Sequence, residues 1–173
     1  MTRPEMPFLT LLQEGTRLLQ QGKALQALAL LQEAHAMDEA HPDAALNLSS
    51  AYILAGKFSK AVPILERLSE QEPDNPMVWI NLGAAYLGNP VLAGDEQQLQ
   101  AIEAFRQALS INPVAPSVAY NIGLIYRDRQ EIEKAIRWFE RAIGANPNDR
   151  DARAILRRLR AEQPASVRGD EEE

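Results

Sequence analysis

The chain has 173 residues, 46% of them apolar, which is enough for a continuous core. It contains no cysteine, which excludes a disulfide framework, a thiol nucleophile and a cysteine-based metal site. The net charge is −6, and the basic residues of segment 127–160 are interleaved with acidic ones at helical spacing, so we do not expect a nucleic-acid-binding face.

The N-terminal apolar run is too short to be the core of a signal peptide. The run, residues 8–12, is interrupted by Thr10. Nothing in the chain approaches the roughly 20 apolar residues of a membrane span. We therefore expect a cytoplasmic protein without membrane insertion, and a flexible leader over residues 1–7, where Pro4 and Pro7 stand.

Residue markers return along the chain at a fixed distance. Tyr52 and Tyr86 are 34 residues apart, whereas Tyr86 and Tyr126 are 40 apart. Two further sets give the same period with the same single longer interval: Ala27, Ala61, Ala101 and Ala135, and Pro73, Pro113 and Pro147. The period predicts four repeats, at residues 8–41, 42–75, 76–115 and 116–149.

Each repeat is predicted to be a pair of helices packed through small residues. One small residue stands in the first helix of each repeat: Gly15, Ser49, Gly83 and Gly123. A larger residue of the second helix faces back toward it: Leu31, Leu65, Phe105 and Phe139. Spacings of three, four and seven place these residues on one face of each helix. The prolines, which lack an N–H, end the second helices.

Each of the first three repeats departs from the pattern at one point. The first repeat lacks the closing proline, as terminal repeats often do. The second has Pro63 within its second helix, where we expect a slight bend. The third carries the extra residues, Asn89–Gly94 (NPVLAG), between a first helix ended by Gly88 and a second restarted by Asp95 and Gln98 in a capping box. This loop is either a tolerated insertion or a partner contact, since Val91 and Leu92 are expected at its tip.

After the fourth repeat, residues 150–162 predict one more helix. Ile155, Leu156 and Leu159 share an apolar face, while arginines occupy another, so this helix is expected to cap the last repeat. Residues 163–173 are acidic and are expected to form a disordered tail.

The fourth repeat carries the most complete set of markers: Ile122, Gly123, Tyr126, Ala135, Phe139, Ala142 and Pro147. This spacing resembles the tetratricopeptide repeat (TPR), a 34-residue helix–turn–helix unit. The resemblance implies an all-α, right-handed α-solenoid superhelix of antiparallel helix pairs. It also implies a concave groove lined by the first helix of each repeat.

The sequence offers no constellation that would support catalysis. It has no glycine-rich phosphate loop, no G-x-S-x-G and no H-E-x-x-H motif. His35 and His41, near Asp38 and Glu39, could form a metal pair, but solvated turn residues are the favoured interpretation. We expect no enzyme activity, no cofactor and no metal.

Asparagine recurs two residues before the small residue of the first helix, at Asn47, Asn81 and Asn121, with Gln13 in the first repeat. This resembles the asparagine ladder of TPR proteins that bind extended peptides. An amide can pair with both the N–H and the C=O of a peptide backbone. The alternative is that these asparagines satisfy groups between helices.

Apolar residues stand beside the asparagines: Leu12, Leu46, Ile80 and Tyr120. They are expected to line the groove, although some could belong to the core between repeats. The equivalent positions hold no basic residue of the kind that binds a C-terminal carboxylate in TPR co-chaperones. The leading hypothesis is therefore a non-catalytic adaptor for an extended, partly apolar peptide of another protein. The rival is a structural subunit that self-associates or assembles through the inserted loop or its end faces.

Overall fold

The computed structural model describes residues 6–162, and this part of the chain is all α-helical, without a strand. Its helices are α1 (Phe8–Gln20), α2 (Ala24–Met37), α3 (Pro42–Leu54), α4 (Phe58–Gln71), α5 (Pro76–Leu87), α6 (Asp95–Ile111), α7 (Val118–Asp128), α8 (Ile132–Ala145) and α9 (Arg150–Glu162). The predicted acidic tail and most of the predicted leader lie outside the described residues. No helix between residues 6 and 162 has the length and apolar character needed to cross a membrane.

The chain divides into two compact units, Met1–Ile111 and Asn112–Glu173. In the first unit each helix from α1 to α6 packs on the next, and α3 also packs against α1 and α5. In the second unit α8 packs against both α7 and α9. The helix pairs α1/α2, α3/α4, α5/α6 and α7/α8 lie within the four predicted repeats, and α9 covers the predicted cap helix. The arrangement is that of an α-solenoid built from helix pairs.

The predicted small positions explain why paired helices approach closely. A Cβ added at Gly15 would lie 2.6 Å from the Leu31 side chain, and one at Gly83 would lie 2.6 Å from the ring of Phe105. The alanines of the second helices that mark the period (Ala27, Ala61, Ala101 and Ala135) are fully buried. Only residues with minimal side chains fit these contacts, because protein interiors are close-packed.

The turns within repeats depend on left-handed backbone conformations. Gly22 and Gly56 have φ values of 73° and 70° in the turns of the first two repeats. Gln130 occupies the corresponding turn of the fourth repeat with φ 61°, a conformation that is costly for a residue with a Cβ. In α4, Pro63 lies on the exposed side and the helix continues to Gln71; the predicted bend stays a prediction.

The predicted insertion, residues 89–94, falls between α5 and α6. α5 ends at Leu87, Gly88 follows with φ 57°, and α6 begins at Asp95. The Asn89 side chain accepts a hydrogen bond from Val91 N at 3.0 Å, and the Asn89 carbonyl accepts from the next two amides. Val91 is 89% exposed, so the loop presents an aliphatic side chain to solvent on a hydrogen-bonded turn.

Candidate peptide-binding wall

The first unit places three first helices side by side, α1, α3 and α5, which we call the first-helix wall. Leu46 and Asn47 lie on α3, and Ile80 and Asn81 occupy the corresponding positions of α5. Both asparagines are half-buried. The predicted ladder residues of the first unit are therefore brought to equivalent places on adjacent helices.

The asparagines of the wall bind hydroxyl groups on the preceding first helix. Asn47 Nδ2 donates to Thr16 Oγ1 on α1 at 2.9 Å. Asn81 Nδ2 donates to Ser50 Oγ on α3 at 2.8 Å. Both bonds join residues 31 positions apart, so one contact repeats along the wall. Sequence reasoning missed Thr16 and Ser50, although each is a hydroxyl residue three positions after the amide residue of its own helix.

The hydroxyl groups fix the orientation of the two amides. Thr16 Oγ1 donates its only proton to the Leu12 carbonyl at 2.7 Å, and Ser50 Oγ donates to the Leu46 carbonyl at 2.8 Å. Each hydroxyl can then only accept from the asparagine, so the amide nitrogen must point toward it. Within the described residues nothing donates to Oδ1 of Asn47 or Asn81, and neither oxygen is buried. The wall therefore presents two oriented acceptors to solvent.

The apolar residues predicted beside the ladder differ in exposure. Leu12 is 9% exposed and belongs to the core of the first unit, so it offers little surface to a ligand. Leu46 and Ile80 are half-buried. At the C-terminal end of α3, Leu54 is 62% exposed. Of the apolar residues predicted beside the ladder in the first unit, the accessible ones thus lie on α3 and α5.

Positive charge is scarce on the wall. α3 and α5 contain no lysine or arginine, and Arg17 of α1 is paired with Glu14. The hydrogen bond and the attraction from Arg17 lower the pKa of that carboxyl group. A carboxylate ligand would therefore find no free cation on these three helices. A neutral peptide backbone suits the amide acceptors better.

The second unit carries the remaining predicted residues. Tyr120 and Asn121 lie on α7 at the positions that Ile80 and Asn81 hold on α5, and both are half-buried. The Tyr120 ring packs edge-on against Phe139 at 5.6 Å between centroids. α5 has Ala84 where α3 has Ser50, so the run of hydroxyl acceptors ends at α3.

A second series of contacts joins two of the tyrosine markers, Tyr52 and Tyr86, to the second helix of the preceding repeat. Gln32 Nε2 donates to the Tyr52 hydroxyl at 2.9 Å, and the Tyr86 hydroxyl donates to Glu66 at 2.7 Å. Burial and the neighbouring Glu66 carboxylate raise the pKa of Tyr86 to about 12. These bonds tie repeats together, so the tyrosines contribute to assembly of the array as well as filling space.

The two histidines lie in different settings. The His41 ring packs against Phe8 with 4.9 Å between centroids. Burial, and repulsion from Arg67, lower the pKa of His35. Between residues 6 and 162 no group of three potential metal ligands comes together.

Comparison with known proteins identifies the repeat. Two models of the tetratricopeptide repeat family match the chain, at residues 18–86 and 97–150. The peroxisomal targeting signal receptor of Kluyveromyces lactis is 27% identical over 94 residues, which are 54% of this chain and 16% of that protein. The photosystem I assembly protein Ycf3 of a Synechococcus strain is 33% identical over 97 residues, 50% of this chain and 53% of that protein. The chain thus spans about half or less of these curated relatives.

Solved structures share the fold. A thermophilic TPR protein of Thermus thermophilus superposes with a TM-score of 0.73 at 22% identity, covering 90% of this chain and 82% of that one. MamA of Desulfovibrio magneticus RS-1 gives a TM-score of 0.72 at 20% identity, covering 84% and 78%. At identities this low, the superpositions establish a common fold and nothing beyond it.

Proposed function

Because the chain belongs to the tetratricopeptide repeat family, we propose that it is a non-catalytic adaptor that binds an extended peptide segment of another protein on the first-helix wall. The relatives include a protein named as a targeting signal receptor and one named as an assembly protein, which supports a role in protein interaction or assembly. The geometry of the first-helix wall supports the peptide-binding mode.

The observation that carries the proposal is the pair of oriented amide oxygens. Asn47 and Asn81 each use an amide N–H to hold the preceding helix and leave Oδ1 as an acceptor. A backbone N–H of an extended peptide is the complementary donor. Since the orientation is fixed before binding, little side-chain entropy is lost when the contact forms. The half-buried Leu46 and Ile80 beside them would contact apolar side chains of the same peptide.

Asn121 is proposed to act in the same way within its own unit. It has the same position in α7, it is half-buried, and in the described part of the chain its side chain makes no hydrogen bond. The N–H donors and the carbonyl acceptor of its side-chain amide are then both available to a peptide.

The test uses peptides selected from a random display library against the purified protein. Replacing Asn47, Asn81 and Asn121 together by alanine should weaken the selected peptides by roughly ten- to a thousandfold, since each lost hydrogen bond is worth about 0.5–1.5 kcal/mol. The matched control is Gln107→Ala, which removes an exposed amide from a second helix, α6, and should leave affinity unchanged. Equal affinity of the triple variant and the control would reject the proposal.

A second candidate is self-association through the inserted loop. It is favoured by Val91 and Leu92, which are 89% and 80% exposed on a hydrogen-bonded turn. Light scattering after size exclusion, on the wild-type chain and on Val91→Ser/Leu92→Ser, decides this case. A dimer in the wild-type chain that the double substitution converts to monomer would favour it, and a monomer at all concentrations would reject it.

A further inference from the structure

The second unit contains a pocket of about 280 Å³ beside α7 and α8. We call it the α7–α8 pocket. Its walls combine the apolar side chains of Val114, Ala119, Ala142 and Ala145 with the polar residues Ser117, Tyr120, Asn146 and Asp149. Ala119 and Ala142 are buried, whereas Val114 is 63% exposed at the rim. The pocket is thus a recess with both apolar and polar walls that opens to solvent.

The repeat before it has a much larger side chain at one position of this recess. Ala119 of α7 corresponds to Trp79 of α5, forty residues earlier in the chain. Trp79 packs against the core of the first unit, and its indole Nε1 donates to the Pro73 carbonyl at 2.8 Å. The turn before α7 has the corresponding proline, Pro113, but α7 has only a methyl group where α5 has an indole. The fourth repeat therefore lacks the side chain that its predecessor uses.

We propose that the α7–α8 pocket binds the indole ring of a tryptophan side chain presented by a protein partner. The assignment of the ring to a protein partner rests on the proposed function. Binding of an indole to the pocket does not depend on it. The pocket would be a recognition position in the second unit beside the predicted groove residue Tyr120.

Size and polarity both suit this occupant. Apolar cavities of about 150 Å³ in proteins take up benzene, and indole adds one fused five-membered ring to that size. The local potential favours a donor over an anion: burial and the carboxylates of Asp151 and Asp149 raise the pKa of Tyr120, against the opposite effect of Arg127. An indole presents its N–H as a donor and has no acceptor that would be left unpaired.

Two substitutions should fill the pocket with residues that other repeats of this chain carry at the corresponding positions. Ala119→Trp restores the residue that α5 carries, and Ala142→Leu places in α8 the residue found at the corresponding position of α4, Leu68. Each should fill the pocket with a side chain that this architecture already accommodates elsewhere. Two independent variants are needed because one of them could fail to fold, which far-ultraviolet circular dichroism would detect.

The experiment measures binding of 5-fluoroindole to the full chain by fluorine NMR. We expect a dissociation constant of roughly millimolar order, as for small fragments, and at least tenfold weaker binding to each folded filling variant. The control Gln107→Ala, at an exposed position of α6, should bind as the wild-type chain does. Failure of 5-fluoroindole to bind, or equal binding to a folded filling variant, overturns the proposal.

Two further probes separate an indole from a cation. 1-Methylindole, which lacks the N–H, should bind several-fold more weakly than indole. Asp149→Asn keeps an oxygen for the hydrogen bond from Ala152 N that begins α9, but removes the charge. Indole binding should be unchanged in this variant. Tighter binding of butylammonium than of indole, abolished by Asp149→Asn, would assign the pocket to a cationic side chain and overturn the proposal.

Discussion

Replacing glycine by alanine at three helical positions, Gly83, Gly123 and Gly144, should have three different effects on stability. Alanine is favoured over glycine in a helix by about 1 kcal/mol. At Gly144 an added Cβ meets nothing within 4 Å, so this gain should appear almost in full. At Gly123 the Cβ would lie 3.1 Å from the Phe139 ring, and at Gly83 it would lie 2.6 Å from the Phe105 ring.

The contact distances set the expected magnitudes. Phe105 is 1% exposed and cannot swing into solvent, so Gly83→Ala should incur an overpacking cost of about 1–3 kcal/mol against the gain in helix propensity. We expect a net loss of up to about 2 kcal/mol at Gly83, a change near zero at Gly123, and a gain of about 0.5–1 kcal/mol at Gly144.

The assay is urea denaturation followed by circular dichroism, with each midpoint compared at constant slope. Adding Phe105→Leu to Gly83→Ala should recover part of the loss, because a smaller side chain leaves room for the new Cβ. If Gly83→Ala is as stable as Gly144→Ala, the close packing of α5 against α6 through the small residue is wrong.

Other substitutions test the turns, the loop and the tyrosine contacts. Gln130→Gly should raise the free energy of unfolding by up to about 1 kcal/mol, since Gln130 has the left-handed conformation that Gly56 adopts in the equivalent turn; a loss in urea denaturation would contradict this. Deleting residues 89–94 should restore the 34-residue period and leave a folded chain, because loop closure changes slowly with length; an unfolded product by circular dichroism would make the loop structural. The pKa of Tyr86 is raised to about 12 from 10.0, so its contribution to stability is present below pH 10 and lost as the pH rises toward 12; the stability of Tyr86→Phe should fall less steeply over that window.

Much of the fold could be predicted because each marker reflects one packing requirement. Gly83 and Phe105 stand where two helices must approach, so their spacing locates both helices. The six extra residues, Asn89–Gly94, change the distance from a tyrosine to the next alanine and so could be placed by subtraction. The pairing of helices and the family assignment could both be predicted in this way.

The details of the candidate site depend on contacts between particular side chains, which the repeat period does not reveal. The repeat frame gives the position of Asn81 on its helix, but not that Ser50 accepts its amide N–H. In the repeat frame Ala119 is an ordinary helical alanine. The pocket beside it depends on how α7 and α8 pack, which the sequence does not show. Burial of Leu12 likewise depends on how α1 packs in the core of the first unit.

A double-mutant cycle between Asn81→Ala and a backbone N-methylated peptide tests most directly whether the amide oxygen binds a peptide N–H. Each amide of a selected peptide is methylated in turn, and affinities for the wild-type chain and for Asn81→Ala are measured by calorimetry. One methylated position should weaken binding to the wild-type chain by about two- to tenfold but have no further effect on Asn81→Ala, a coupling of about 0.5–1.5 kcal/mol. Additive losses at every peptide position would contradict the proposed binding mode.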